Sequence, residues 1–344
     1  MKAMVLERLG MVQNGSTPLR WTDVPEPALG DNEVLLNVQV CGVCHTELDE
    51  IEGRTPPPRL PIILGHQVVG RVVAVGSCVR QHTQGERVGV AWICLACGKC
   101  KYCQSDHENL CDQFQATGRD RNGGYAEYMT APAAFALRIP DVFTDVQAAP
   151  LLCAGAIGYR SLRLTNLQDG QKLGLTGFGA SAHLVLKMAR CRFPATEIFV
   201  FARNERERSF ATELGAAWVG DTNARAPVQL DAIIDTTPAW TPVVKALENL
   251  APDGRLVVNA IRKKETDKSV LGSVDYSKHL WMEKEIKSVA NVTRRDVSEF
   301  LELAAQLQLQ PQVQEYALAA ANQALVDLKL RSVGGAKVLI IADS

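Results

Sequence analysis

The stretch KLGLTGFGASAHLVLKMA (172–189) constrains the fold of this chain more than any other. An apolar, strand-like run enters a glycine turn and leaves it in a helical pattern. Gly177, Gly179 and Ala182 fit G-x-G-x-x-A: the first permits a tight turn, the second lets backbone approach a pyrophosphate, and the third allows close helix–strand packing. A helix N-terminus behind such a turn offers free N–H groups and partial positive charge to phosphates. The next apolar run, EIFVFA (197–202), begins on schedule, and ERERSFATELG, DAIIDT, VVKALENL and GRLVVNA continue the alternation. Strand and helix in alternation predict βαβ units and a doubly wound parallel sheet of the Rossmann type, an α/β domain that binds a dinucleotide.

The second strand of such a unit ordinarily ends in an Asp or Glu that bonds the ribose of NAD. Here it ends FARNERER, with Ala202 in the acid's place and Arg203 after it. With no carboxylate to repel a 2′-phosphate and an arginine within reach, NADP(H) is favoured over NAD(H). The plainer reading of Arg203 is a solvated residue ahead of the next helix.

The first 140 residues read differently. EVLLNVQVCG (33–42), QVVGRVVAVG (67–76) and ERVGVAW (86–92) are Val-rich runs broken by Gly and Pro, which predict a compact, barrel-like β domain. Helical spacing returns at 149–164 and 296–309, and AKVLIIAD (336–343) reads as a strand. With 344 residues, 47% hydrophobic and 22% charged, the chain has room for two domains. A net charge of −1 without a basic stripe argues against nucleic-acid binding. No run approaches the ~20 apolar residues of a membrane span. The start MKAMVLERLG lacks a secretory pattern, so a cytoplasmic protein is expected.

Ten cysteines are present, five of them within 94–111, and clustered thiols in a long chain point to metal rather than disulfides. Cys97, Cys100, Cys103 and Cys111 form C-x2-C-x2-C-x7-C, enough thiolates to close a tetrahedral shell around one structural zinc. An iron–sulfur cluster is the rival, but its run continues C-x3-C-P, and here the last gap is seven with no proline after Cys111. Cys94 is the spare.

Other candidates are scattered: Cys41 and Cys44 in CGVCHTEL, His66 in LGHQVVG, and Cys153 in LLCAG. Singly, each has a bland alternative. The C-x-x-C is open to three readings: half a zinc knuckle, a redox pair, or one ligand beside a bystander. His66 reads equally as a hydrogen-bonded core histidine, and Cys153 as a small buried hydrophobe.

Along essentially its whole length the chain resembles the medium-chain, zinc-dependent alcohol dehydrogenases, through GVCHTEL, LGHQVVG, CGKCKYCQSDHENLC, GGYAEY (123–128), LLCAGAIGYR and GFGASAH. The resemblance implies that Cys44, His66 and Cys153 ligate a catalytic zinc, with the fourth position left for water or alcohol. It makes Thr46 a proton carrier and Cys41 a neighbour without a bond to the metal. Asp49 stands where the family's relay has a histidine. His45 and Lys337 fall where relatives contact the cofactor pyrophosphate, and Trp92 where an aromatic residue narrows the pocket toward primary alcohols. Two departures touch the outer shell: Gln67 replaces the usual Glu of GHE, which removes negative charge near the metal, and Glu47 replaces an Asp that orients the zinc-bound histidine.

The expected architecture is therefore a GroES-like β-barrel catalytic domain at 1–150 and 288–344, with a structural zinc lobe at about 94–111, around a Rossmann domain at 151–287, the active site in the cleft between them. Two zinc ions per chain, a small-molecule alcohol or aldehyde substrate and a homo-oligomer, tetramer or dimer, complete the expectation. The reaction is reversible hydride transfer between an alcohol and NAD(P)+, giving an aldehyde or ketone. The rivals are a polyol or sugar dehydrogenase, a zinc-free quinone or enoyl reductase, which the seven matched ligands oppose, and a non-catalytic zinc-stabilised binding protein.

Overall fold

The computed structural model describes residues 1–330 and 335–342, so Asp343, the last residue of the expected C-terminal strand, lies outside the described residues. The chain divides into two compact units, Met1–Cys153 with Val292–Ser344, and Ala154–Asn291. The divisions fall a few residues beyond the expected 150 and 288, so Cys153 belongs with the first unit.

The hub of the first unit is the strand Glu33–Val43, whose alternating burial follows the two-residue period of a pleated strand. It pairs antiparallel with Gln67–Val75, Tyr128–Pro132 and Ala336–Ile340, and Arg87–Val90, Ala136–Arg138 and Val313–Ala317 extend the sheet. A second sheet orders Leu19–Asp23, Lys2–Leu6 and Ile62–Ile63. Val34, Leu36, Val38, Val68 and Val72 meet Met4, Leu6, Ile51 and Tyr125 in one buried core. Each such aliphatic side chain stabilises the unit by roughly 1.5–3 kcal/mol. The register Gly42↔Gln67 places Val43 and His66 at the same end of adjacent strands, and Lys337 pairs with Val43 from the other side.

The second unit contains six parallel strands: β1 (Lys172–Thr176), β2 (Glu197–Phe201), β3 (Trp218–Gly220), β4 (Leu230–Asp235), β5 (Leu250–Val258) and β6 (Glu285–Ser288). Their order is β3-β2-β1-β4-β5-β6, the doubly wound arrangement that alternating strand and helix predict. Phe199, Phe201, Ile233 and Leu256 on the strands pack with Val243, Ala246 and Leu247 of the helix Thr241–Asn249. Strand order reverses between β1 and β4, so ligands are expected outside the carboxyl ends of those two strands.

The run 149–164 is not one helix. It comprises Asp145–Pro150, a π-helical turn over Leu151–Gly155 and a helix Ala156–Thr165. Pro150 has no N–H and its ring crowds the carbonyl four residues back, so the regular ladder gives way there. Widened turns of this kind concentrate at functional positions, and this one carries Cys153. The expected helix at 296–309 starts earlier, at Arg294, because Thr293 and Asp296 form a reciprocal capping box.

Candidate active site and metal centres

Cys44, His66 and Cys153 come together in the first unit, their ligand atoms all within 4.8 Å of one another. Cys44 sits where the hub strand ends and the helix His45–Ile51 begins, as its N-cap. Its Sγ lies 4.0 Å from Cys153 Sγ, and His66 Nε2 lies 3.4 Å from the same Cys153 sulfur. His66 follows Gly65, whose φ of +99° and 2.4 Å approach of a would-be Cβ to Tyr125 leave room for no other residue. Glu47 binds both sides of the centre. Its Oε1 stands 2.5 Å from His66 Nδ1, and its Oε2 accepts the Cys44 N–H at 2.8 Å. The carboxylate thereby turns Nε2 toward the sulfurs, the usual second-layer support of a metal-binding histidine.

The electrostatics match a cation site. The neighbouring Cys153 sulfur, burial and Glu47 push the Cys44 thiol well above its usual range. Burial disfavours charge on His66, yet Glu47 and Cys44 outweigh it and draw that pKa upward. Two adjacent sulfurs and a carboxylate-braced imidazole form a donor set that zinc fits, with three protein ligands and an open position. Thr46 Oγ1 is 3.3 Å from Cys44 Sγ. Cys41 stays apart in the apolar core, so the C-x-x-C is not a pair of ligands here.

Cys97, Cys100, Cys103 and Cys111 form the second group, also within 4.8 Å of one another, and Cys94 is outside it. Backbone N–H groups already point at the sulfurs: Cys97 N–H to Cys111 Sγ at 3.4 Å, Cys100 N–H to Cys97 Sγ at 3.3 Å and Gln113 N–H to Cys111 Sγ at 3.3 Å. The N–H groups of Lys99 and Cys100 hold the Cys97 thiol down to about 6, while burial and its sulfur neighbours push Cys103 up to about 12. This four-sulfur shell fits zinc with no position left for substrate.

In the second unit the glycine turn joins β1 to the helix α1, Ala180–Arg192. Gly177 has φ +79°, and a Cβ there would meet Thr236 Oγ1 at 2.9 Å and Thr237 Cγ2 at 3.0 Å, so the turn rests on the end of β4. At Gly179 a Cβ would meet nothing within 4 Å, and the open space in front of the helix suits a pyrophosphate. Ala182 is buried beneath it. These environments predict opposite phenotypes. Gly177→Ala is expected to cost about 1–3 kcal/mol of stability through its left-handed backbone. Gly179→Ala is expected to leave the melting temperature within about 2 °C while raising KM for the dinucleotide about tenfold or more, because its methyl group occupies ligand space. Thermal melts alongside cofactor titrations separate the two.

Other expected site residues are placed less simply. Asp49 is buried, and its carboxylate accepts Arg54 Nε at 2.5 Å rather than standing open beside Thr46. His45 is exposed on the helix's first turn. Trp92 is half-buried against Phe114, ring centroids 5.3 Å apart. Lys337 is buried and makes no ion pair among the described residues; burial lowers its pKa and Asp327 partly restores it. Ala202 is buried at the end of β2, and Arg203 is exposed without an ion pair among the described residues. Sequence reasoning missed Arg208, which donates to the Ala202 carbonyl at 2.7 Å and pairs with Glu205 at 2.6 Å. It also missed the buried Glu50; the only signal was its i+3 spacing from Glu47.

Residues 30–141 match the Alcohol dehydrogenase GroES-like domain family. The chain is 43% identical over 346 residues to the "Probable alcohol dehydrogenase AdhA" of Mycobacterium tuberculosis (strain CDC 1551 / Oshkosh), covering 99% of this chain and 97% of the relative. It is 30% identical to an alcohol dehydrogenase of Geobacillus stearothermophilus over 98% of this chain and 99% of that protein. Among solved structures, AibC superimposes with a TM-score of 0.87 at 25% identity, covering 100% of this chain and 96% of that one. With relatives this similar over their full length, and both cysteine-containing groups assembled, the chain belongs to the medium-chain, zinc-dependent alcohol dehydrogenase family.

Proposed function

We propose that this protein is a zinc-dependent alcohol dehydrogenase that interconverts alcohols, primary ones foremost, with their aldehydes or ketones, using NADP(H) in preference to NAD(H). The observation that carries the reading is the Cys44–His66–Cys153 triad with the Thr46 hydroxyl beside it. Zinc would supply Lewis acidity that makes an alcohol hydroxyl acidic near neutral pH, and the nicotinamide would accept hydride. The chain's own residues do the rest. Two sulfurs offset the dication's charge, Glu47 fixes the imidazole, and Thr46 takes the alcohol's proton onward. Asp49 is committed to Arg54, so we assign the first proton step to Thr46 alone. The half-buried Trp92 supports a pocket with an aromatic wall, suited to slim substrates. Cys97, Cys100, Cys103 and Cys111 hold the second zinc.

The NADP(H) preference rests on Ala202, on Arg203, which makes no ion pair among the described residues, and on Arg208 folded over the same strand end. Lys337 supports it only as a buried cation that makes no ion pair among the described residues. Turnover of a panel of primary and secondary alcohols with each cofactor, beside a zinc count, tests the whole reading. No alcohol oxidation would sink it, and a large NAD+ preference would sink the cofactor assignment. Arg203→Ala is expected to raise KM for NADP+ about 10- to 100-fold, the loss of one or two charge-assisted hydrogen bonds, with NAD+ changed less than about twofold.

The same reading includes a homo-oligomer. The strand β6 ends the sheet order, all four of its residues are exposed, and Ile286 is 51% exposed. An unsatisfied edge of that kind is a template for a second copy. Sedimentation at micromolar concentration showing only monomer would remove this part. The ten thiols, none in a disulfide, favour the reducing cytoplasm as the compartment. Among the described residues, no helix is long and apolar enough to cross a membrane.

A further inference from the structure

Where the strand order reverses, two threonines bridge the carboxyl ends of β1 and β4. Thr236 donates both its N–H, at 2.9 Å, and its Oγ1, at 3.1 Å, to the Thr176 carbonyl. Thr236 and Thr237 are also the residues against which Gly177 packs. Thr237 is held at every polar atom. The Asp235 carboxylate accepts its N–H at 3.3 Å and its Oγ1 at 2.8 Å, while Lys263 Nζ donates to its carbonyl at 2.7 Å. Lys263 closes the ring by pairing with the other oxygen of Asp235. Asp235 is fully buried, and only 7% of the Lys263 side chain is exposed. The segment 259–267, which follows β5, is thereby fastened along the loop 236–241. Further ties run from the Lys264 N–H to the Pro238 carbonyl at 2.7 Å, and from the Trp240 and Thr241 N–H groups to the Asp267 carboxylate at 2.9 and 2.8 Å.

Folding alone gives little reason for a buried ion pair here. Taking two charges out of water costs about as much as their attraction returns, and apolar residues of similar volume commonly serve a fold as well or better. Asp267 and the Lys264 N–H already tie the segment to the loop. What the pair adds is a firm hold on Thr237, because hydrogen bonds to charged groups are shorter and stronger than neutral ones. Thr237 in turn supports Gly177, whose φ of +79° makes the tight turn ahead of the helix α1. Ligands of doubly wound sheets bind at this reversal, outside the carboxyl ends of the strands.

We propose that Lys263 and Asp235 are positioning residues for the dinucleotide: through Thr237 they hold the glycine turn in the shape that receives the pyrophosphate. The proposal rests on the dinucleotide reading given above. Because the pyrophosphate is common to NAD(H) and NADP(H), the pair serves both cofactors alike. It differs in this from Arg203, to which that reading assigns only the 2′-phosphate.

The test combines Asp235→Asn with Lys263→Met, which removes both charges at nearly constant volume and leaves no buried charge alone. Kd for NADPH and NADH would be measured by quenching of protein fluorescence, with steady-state kinetics and thermal melts on the same samples. Expected is a rise of about tenfold or more in Kd and KM, by similar factors for the two cofactors. Turnover at saturating cofactor should stay within about threefold, since both side chains are buried and spent on Thr237. The melting temperature should stay within about 3 °C. Asp267→Ala is the comparison: it loosens the same segment without touching Thr237, so it should lower the melting temperature and leave both Kd values within about twofold. Unchanged Kd values in the double variant would overturn the proposal. So would a markedly lowered melting temperature in that variant, which would make the pair a structural one, or an equal loss of binding in Asp267→Ala. Weakening confined to NADPH would overturn it as well, because it would place the pair at the 2′-phosphate. A parent protein that binds neither dinucleotide would instead defeat the underlying reading, so the two failures are told apart.

Discussion

Replacing Cys44 with alanine is expected to lower alcohol oxidation by at least about 10³-fold and to remove one of two zincs, while the fold survives. The size follows from what remains. His66 and Cys153 alone are two ligands, fewer than the three that catalytic zinc sites use, and the loss of a Lewis acid at an alcohol hydroxyl removes several kcal/mol of transition-state stabilisation. Each 1.4 kcal/mol is a factor of ten in rate. The cost to folding is small: Cys44 is half-buried and caps a seven-residue helix, and cap losses run at about 1 kcal/mol. Cys41→Ala makes the informative comparison. That side chain is fully buried in the apolar core and outside the ligand group, so it should lose some stability and keep both zincs. Steady-state kinetics, metal analysis and thermal melts on the two variants check the pair. Normal alcohol oxidation by Cys44→Ala would refute the ligand set.

That contrast shows how much of the site the sequence could reveal. The glycine turn and the alternating runs were enough to read a doubly wound sheet, because strand and helix periods are local and a parallel sheet has few ways to connect them. The four sulfurs at 97–111 were equally legible, since ligands that close in sequence need only a short loop to meet. Cys44, His66 and Cys153 are another matter. Their meeting depends on the register Gly42↔Gln67 and on a π-helical turn after Pro150, and neither register nor an irregular turn is written in periodicity. Only the motif resemblance joined them in advance. Asp49 is a different case: its motif position suggests a proton acceptor, and the structure adds a partner that no pattern announces, Arg54, five residues on, whose Nε donates to its carboxylate. Glu50 escaped notice because helical spacing alone does not say which face of a short helix is buried.

Removing the second zinc should be felt in stability rather than in chemistry. The lobe 97–111 contains one short helix, Lys101–Gln104, and one 3-10 turn, Glu108–Leu110, with few apolar residues to hold them. It is tied to the first unit by polar contacts: Glu108 receives Arg294 Nη2 at 2.6 Å and Nε at 3.0 Å, and Asp106 receives Arg295 at 3.0 Å. The more open Asp106–Arg295 pair contributes about 1 kcal/mol or less, and the buried Glu108 with its two-pronged Arg294 is a firmer but single tie, so the four-sulfur shell is expected to supply most of the lobe's remaining order. Cys111 is the buried member and accepts N–H groups from both Cys97 and Gln113. Cys111→Ser is therefore expected to lose this zinc, to cost about 3–5 kcal/mol, and to lower the melting temperature by about 10 °C at the usual 2–4 °C per kcal/mol for a unit of this size. Turnover at 25 °C should fall far less than in Cys44→Ala, because a closed four-ligand shell touches no substrate. Limited proteolysis should cut the variant within 97–111, and reductant should not reproduce the effect in the parent, since thiolates rather than disulfides carry it. An unchanged melting temperature with one zinc missing would mean that the lobe holds itself together without metal, and the four cysteines would then need another explanation.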